Sequence, residues 1–283
     1  MALFAKIQNK WRITKAGGHR RIGGLLLSLA TDRGHGSNPA EKVMERKKII
    51  IIGATSGIGR ALADVFAAGG HVVGITGRRE ALLHEILATR PASYHISAFD
   101  VTDTAASIMR LEALAAAMGG VDMIVISAGG GDTNAALDFA VEQRMIHLNV
   151  QAFTQVADWA FNYFRDRKGG HLAAITSVAG MRGSRQAPGY SASKAYQINY
   201  LQGLRQKAYK ERLGITVTDI CPGFVDTPMA KSPVRFWVAP VDKAARQIYR
   251  GLQQRRNVVY ITRRWRTVAW LYRLLPGWLH RRM

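Results

Sequence analysis

Tyr190 and Lys194, a phenol and an amine four residues apart in Tyr190-Ser-Ala-Ser-Lys194, are the pair in this chain best suited to moving a proton. On a helix that spacing puts both side chains on one face. A neighbouring ammonium favours the phenolate and draws a tyrosine pKa down from its usual ~10 toward neutrality, so Tyr190 is expected to serve as a general acid or base. Ser177 lies thirteen residues earlier, just past the apolar stretch Leu172 to Thr176. At the carboxyl end of a strand, its hydroxyl can donate to a carbonyl oxygen and stabilise a developing alkoxide. Read alone, Tyr190 is equally a half-buried structural tyrosine. Its weight comes from the company it keeps.

A second cluster has the chemistry to hold a phosphate. Gly53-Ala54-Thr55-Ser56-Gly57-Ile58-Gly59 follows the β-branched run Ile49 to Ile52 and precedes a helical pattern. In such a strand-turn-helix the glycines permit a tight turn, close approach of backbone to a pyrophosphate and close helix packing, while helix N-terminal N–H groups face the anion. About twenty residues on, where an acid would bond the ribose 2′-hydroxyl of NAD, the chain reads Thr76-Gly77-Arg78-Arg79, with no acid before Glu80. Arg78 and Arg79 suit a 2′-phosphate, which favours NADP(H) over NAD; the plainer alternative is a pair of solvated arginines at a helix start.

These residues need a scaffold, and the hydrophobic pattern supplies one. Ile49 to Ile52 is a continuous apolar run, as expected of a strand covered on both faces. Ile58, Leu62, Val65 and Phe66 then recur at helical steps up to Gly69-Gly70. Further strands are expected at His71–Thr76, Tyr94–Phe99, Met123–Ile126, Leu172–Thr176, Ile215–Ile220 and Val258–Ile261, with helices between them, including a long one around 137–165 and another around 189–212. Seven strands alternating with helices predict a doubly wound parallel α/β sheet, Rossmann-like and forming a single domain over residues 47–262.

The spacing Gly-x-x-x-Gly-x-Gly, together with Tyr190-x-x-x-Lys194, Ser177, and Asn149 in Met145-Ile-His-Leu-Asn-Val150, resembles the short-chain dehydrogenase/reductase family. The resemblance implies an oxidoreductase that interconverts a carbonyl and a secondary alcohol on a small molecule. It assigns catalysis to Asn149, Ser177, Tyr190 and Lys194, with Lys194 also binding the nicotinamide ribose and Asn149 holding a water that links Lys194 to solvent. It places the cofactor against Gly53, Thr55, Ser56, Gly57, Ile58 and Gly59, with Asp100 and Val101 at the adenine, Ala128 and Gly129 after the fourth strand, and Pro222, Gly223, Val225 and Thr227 after the sixth. Two departures stand out. Ile52 replaces the usual Thr before the first glycine, and Ile126-Ser127-Ala128-Gly129 replaces Asn-Asn-Ala-Gly. Residue chemistry alone leaves Asn149 open to a backbone-bonded structural role, and Asp100 to a loop or capping role.

Composition sets the outer limits. A single cysteine, Cys221, excludes internal disulfides and multi-cysteine zinc sites, and no metal site is expected. No apolar run reaches the ~18 residues of a membrane span. The net charge of +21 sits at the ends: residues 49–230 are almost neutral, while 1–48 carry +8 and 231–283 carry +12. A neutral core argues against nucleic-acid binding, which needs cations held in register on the folded part. Residues 1–46 are expected to be a basic extension, with a targeting leader or a true start at Met44 as the other readings. Residues 263–283, in which Trp265, Val268, Tyr272, Leu275 and Leu279 recur among arginines, are expected to form a basic amphipathic helix. That helix either docks on protein or lies on an anionic membrane, and Pro276 should kink or end it. Phe224, Met229, Phe236 and Trp237 point to an apolar or amphipathic substrate, or else simply pack a lid. A cytoplasmic, homo-oligomeric enzyme is expected, membrane-associated if the tail binds lipid. The alternative is a cofactor-binding scaffold without turnover, tethered by its basic ends.

Overall fold

In the computed structural model, residues 46–229 and 236–282 are described; the basic extension expected before Arg46 lies outside them. Seven strands make one parallel sheet in the order β3-β2-β1-β4-β5-β6-β7. They are β1 (Lys48–Ile52), β2 (Val72–Gly77), β3 (Tyr94–Ala98), β4 (Met123–Ile126), β5 (Gly170–Ile175), β6 (Ile215–Pro222) and β7 (Val258–Ile261). The main helices are α1 (Gly57–Ala68), α2 (Glu80–Thr89), α3 (Thr104–Ala117), α4 (Phe139–Ile146), α5 (Phe153–Asp166), α6 (Pro188–Lys210) and α7 (Val241–Gln253).

The isoleucine run of β1 shows why the sheet is buried on both sides. Alternate side chains point to opposite faces, so Ile49 and Ile51 pack under Leu62 and Phe66 of α1 and Ile248 of α7, while Ile50 and Ile52 pack under Leu111 of α3, Phe161 of α5 and Leu201 of α6. All four isoleucines are inaccessible or nearly so. Since β1 is flanked by β2 on one side and β4 on the other, the direction of winding reverses between β1 and β4. A crevice opens there at the strands' carboxyl ends, and the glycine loop sits in it.

Two expected elements turn out differently. The long helix around 137–165 is α4 and α5 joined by a π-helical turn, His147–Ala152, that contains Asn149. In the tail, the helix α8 (Arg264–Leu274) ends before Pro276, as the missing N–H of that residue predicts, but a second, short helix α9 (Gly277–His280) follows it. The stripe on α8 docks on its own domain: Trp265 and Ala269 are buried with Cys221 and Val178. Arg182 fastens the end of α8, donating to the carbonyls of Tyr272 (2.7 Å), Arg273 (3.3 Å) and Leu275 (2.5 Å). Those terminal carbonyls have no helical partner, and a cation there also suits the helix dipole.

Close packing of α1 on β1 depends on Gly59, where a Cβ would stand 2.2 Å from the Gly53 carbonyl oxygen and 2.7 Å from Ser127 Oγ. Gly59→Ala should therefore push α1 off the strand. We expect a stability loss of about 1–3 kcal/mol by urea unfolding, accompanied by weakened nucleotide binding.

Candidate active site

Three elements place the catalytic candidates: α6, the turn after β5, and the π turn after α4. Tyr190 sits in the first turn of α6, which Pro188 starts, and Lys194 follows one turn later on the same face. The Lys194 ammonium lies 5.9 Å from the centre of the Tyr190 ring. Ser177 follows β5, where its Oγ caps a 3₁₀ turn by accepting from Ala179 N at 3.1 Å, and its hydroxyl hydrogen-bonds to the Tyr190 phenol. Phenol, ammonium and hydroxyl thus converge at the carboxyl ends of β4 and β5.

Lys194 is 4% exposed, so its charge needs partners. Nζ donates to the Ile175 carbonyl at 3.0 Å and to Gln197 Oε1 at 2.9 Å. Burial pushes its pKa down to about 8, against the upward pull of the Asp219 carboxylate. Asp219, itself buried on β6, accepts from Thr176 Oγ1 at 2.5 Å, and burial raises its pKa while that bond and the cations Arg205 and Lys194 lower it. Tyr190 departs from expectation: burial pushes its pKa above the usual tyrosine value, and the hydrogen bond from Ser177 pulls it back. The ammonium sits beside the ring rather than on the phenol oxygen, and in this protein-only environment desolvation dominates.

Asn149 also differs in detail from its expected place. Its Oδ1 accepts from Gly130 N at 2.9 Å, and its Nδ2 donates to the Gly130 carbonyl at 2.9 Å and to Ser193 Oγ at 3.0 Å. Its carbonyl, freed by the π turn, accepts from Gln197 Nε2 at 2.8 Å. Gln197 therefore bridges Lys194 to the Asn149 main-chain carbonyl directly. Sequence reasoning missed Gln197. Its only signal was a polar residue one turn past Lys194 on the buried side of α6.

One cavity of about 970 Å³ is lined by every expected site residue except Gly59, which packs α1 behind the loop, and Asn149, which lies behind Lys194. Its cofactor end fits a dinucleotide. The loop from Gly53 to Ile58 runs into the N-terminus of α1, and Val225 and Thr227 close the opposite side. Arg79 folds across the loop, donating to Thr55 Oγ1 at 2.7 Å and Ser56 Oγ at 2.9 Å. The exposed Arg78 reaches Asp100 at 3.5 Å, and Asp100 in turn accepts from Thr102 N and Oγ1 at 2.9 and 2.8 Å. The other end is apolar and aromatic. Phe224, Phe236 and Trp265 stack edge-on or tilted with centroids 5.1–5.7 Å apart, and Met229 and Tyr272 extend that wall.

Residues 47–235 match the short chain dehydrogenase family. The chain belongs to that family. An uncharacterized oxidoreductase of Myxococcus xanthus is 35% identical over 192 residues, covering 66% of this chain and 75% of the relative. Among solved structures, a short-chain dehydrogenase from Sphingobium yanoikuyae in complex with NADPH superposes with a TM-score of 0.67 at 24% identity, covering 78% of this chain and 92% of that one. A Burkholderia phymatum family member in complex with NAD gives a TM-score of 0.72 at 19% identity, covering 80% and 92%. This short-chain dehydrogenase is accordingly an NAD(P)-dependent oxidoreductase, with the seven-stranded sheet of its structural neighbours.

The lysine environment sets a pH response. The ammonium form dominates below about 8 and is lost above it, so cofactor affinity and kcat/KM should fall as pH rises through about 8. Gln197→Leu removes a neutral acceptor from a buried cation, which should move that alkaline limb to lower pH by about one pH unit. Gln197→Glu should move it the other way. An unchanged pH profile in both variants would show that Gln197 only fills space.

Proposed function

We propose that this short-chain dehydrogenase uses NADP(H) and transfers hydride between the nicotinamide and the carbonyl or carbinol carbon of an apolar or amphipathic small molecule. The observation that carries this reading is the joining, in one cavity, of the Ser177-Tyr190-Lys194 group to a two-arginine rim. When bound, the nicotinamide supplies or accepts the hydride. Ser177 donates a hydrogen bond to the substrate oxygen and stabilises negative charge there. Tyr190 gives its hydroxyl proton to that oxygen in reduction and takes it back in oxidation. Lys194 has two of its three N–H donors committed to Ile175 and Gln197, leaving one for a ribose hydroxyl.

The NADP(H) preference rests on Arg78 and Arg79, the first residues past β2, with guanidinium groups over Thr55, Ser56 and Asp100. Two planar cations at the edge of the cleft suit a 2′-phosphate dianion better than a neutral 2′-hydroxyl. The apolar choice of substrate rests on the aromatic wall. Exposed Phe139 and Ile146 on α4 support association between copies of the chain. The scaffold reading is less favoured because the proton-transfer group is complete and opens into the cavity.

Tyr190→Phe should lower turnover by at least about 10²-fold on an active carbonyl while leaving NADPH affinity, read by nicotinamide fluorescence, nearly unchanged. Activity equal to the parent would overturn the mechanism. Arg79→Ala should weaken NADPH binding by about 10- to 100-fold and leave NADH binding almost unaffected. Equal losses for both nucleotides would overturn the assignment of the 2′-phosphate to this arginine.

A further inference from the structure

Among the described residues, the C-terminal helices bury one side on the domain and leave the other exposed. While Trp265 and Ala269 of α8 pack on the domain, Trp270, Leu271 and Leu274 on its outer side are 60%, 52% and 60% exposed, and Trp278 of α9 is 56% exposed. On α8, Trp270 and Leu274 stand one turn apart and Leu271 lies beside them, so they form one apolar strip, and Trp278 adds a further exposed indole just beyond the Pro276 break. Beside it, the segment 236–238 presents Phe236, Trp237 and Val238 at 45%, 50% and 38% exposure, and Phe236 and Trp237 both contact the Trp265 ring. Two separate segments therefore show apolar and aromatic groups around the same corner of the molecule.

The charge around this surface narrows what can cover it. Residues 243–283 contain eleven lysines and arginines and no acid. Arg266, Arg273, Arg281 and Arg282 are exposed on α8 and just after α9. A second copy meeting this face through a twofold axis would set the patch against itself, arginine against arginine, with no carboxylate from the segment to compensate. A covering surface must bring both apolar depth and negative charge. Tryptophan and leucine flanked by arginine have that relation to the headgroup region of an anionic bilayer.

The position of the patch adds a consequence. Tyr272, His280 and Arg281 line the active-site cavity from the same helices that carry the exposed tryptophans, as do Phe236 and Met229 from the adjoining segment. Arg182, the residue directly after the 3₁₀ turn capped by Ser177, holds α8 by its terminal carbonyls, so patch and cavity mouth are mechanically coupled. We propose that the exposed face of α8 and α9, with Trp237, docks on an anionic membrane surface and turns the substrate end of the cavity toward the lipid. Entry of an apolar carbonyl from the bilayer rests on the substrate reading above. The docking itself does not.

The test is flotation of the full-length protein with vesicles of phosphatidylcholine, or of an equimolar phosphatidylcholine and phosphatidylglycerol mixture. The protein should float with the anionic vesicles only, and high salt should release it. Trp270→Ser combined with Trp278→Ser, at positions that line no part of the cavity, should reduce flotation about tenfold or more while NADPH fluorescence titration stays at the parental value. Equal flotation with both vesicle types, or none, would overturn the proposal. So would a smaller particle by light scattering in the double variant, which would show that the patch joins copies of the chain. If docking holds and an apolar carbonyl embedded in anionic vesicles is turned over no faster than in their absence, the entry step fails while docking stands; loss of turnover on every carbonyl would instead count against the enzymatic reading.

Discussion

The site is organised around one costly object, an ammonium held almost out of reach of water. A buried cation is tolerated only when acceptors surround it and charge balances it, and Lys194 has both: the Ile175 carbonyl, the Gln197 amide and the nearby Asp219 carboxylate. Each of these makes its own demand. Ile175 must end β5 at the right height, which fixes Ser177 two residues on. Gln197 must reach the Asn149 carbonyl, which requires the helix after β4 to open into a π turn. Asp219 must be held by Thr176, which ties β6 to β5 at the level where the chain leaves the sheet. The geometry of the phenol and the serine follows from satisfying the lysine.

The same arrangement separates two properties that residue chemistry first joined. Proximity of Lys194 was expected to make Tyr190 acidic, yet in the protein environment alone the phenol is raised by desolvation and eased only by Ser177. The ammonium is placed alongside the ring, with two donors spent on protein oxygens. Its contribution is therefore better described as holding a ribose hydroxyl and shaping the field than as direct hydrogen bonding to the phenol.

What the sequence made legible was local or periodic. The parallel α/β sheet could be anticipated because β-branched runs and helical stripes alternate, and Ser177, Tyr190 and Lys194 announced themselves by spacing within about one helical turn or along one strand-helix unit. Gln197 was not legible because a glutamine inside a helix carries no signature; only the three-dimensional approach of the π turn gives it meaning. Arg182 was hidden for a related reason, since its partners are carbonyls about ninety residues away, and backbone acceptors leave no trace in residue identity. The tail was half legible. Its stripe through Trp265 was correctly read as amphipathic, but the second apolar face, Trp270, Leu271, Leu274 and Trp278, was masked by the arginines interleaved with it.

The boundary of the family match marks a division of labour. The match ends at residue 235, and within it lie the glycine loop, the arginine rim and the whole proton-transfer group. Phe236, Trp265, Tyr272, His280 and Arg281, which line the same cavity, all lie beyond it. Trp265 fits because Gly223 has no side chain: a Cβ there would stand 2.0 Å from the indole ring. The family's own cofactor-side segment has thus been left bare at the point where a tail-borne aromatic comes in. The proton-transfer group is built at the ends of the sheet, while much of the aromatic cavity wall, beside Phe224 and Met229, comes from the last fifty residues. Selectivity in this enzyme should therefore change with the tail more than the hydride and proton steps do, because Phe236 and Trp265 pack on Phe224 at the cavity wall while Ser177, Tyr190 and Lys194 are held by β5 and α6.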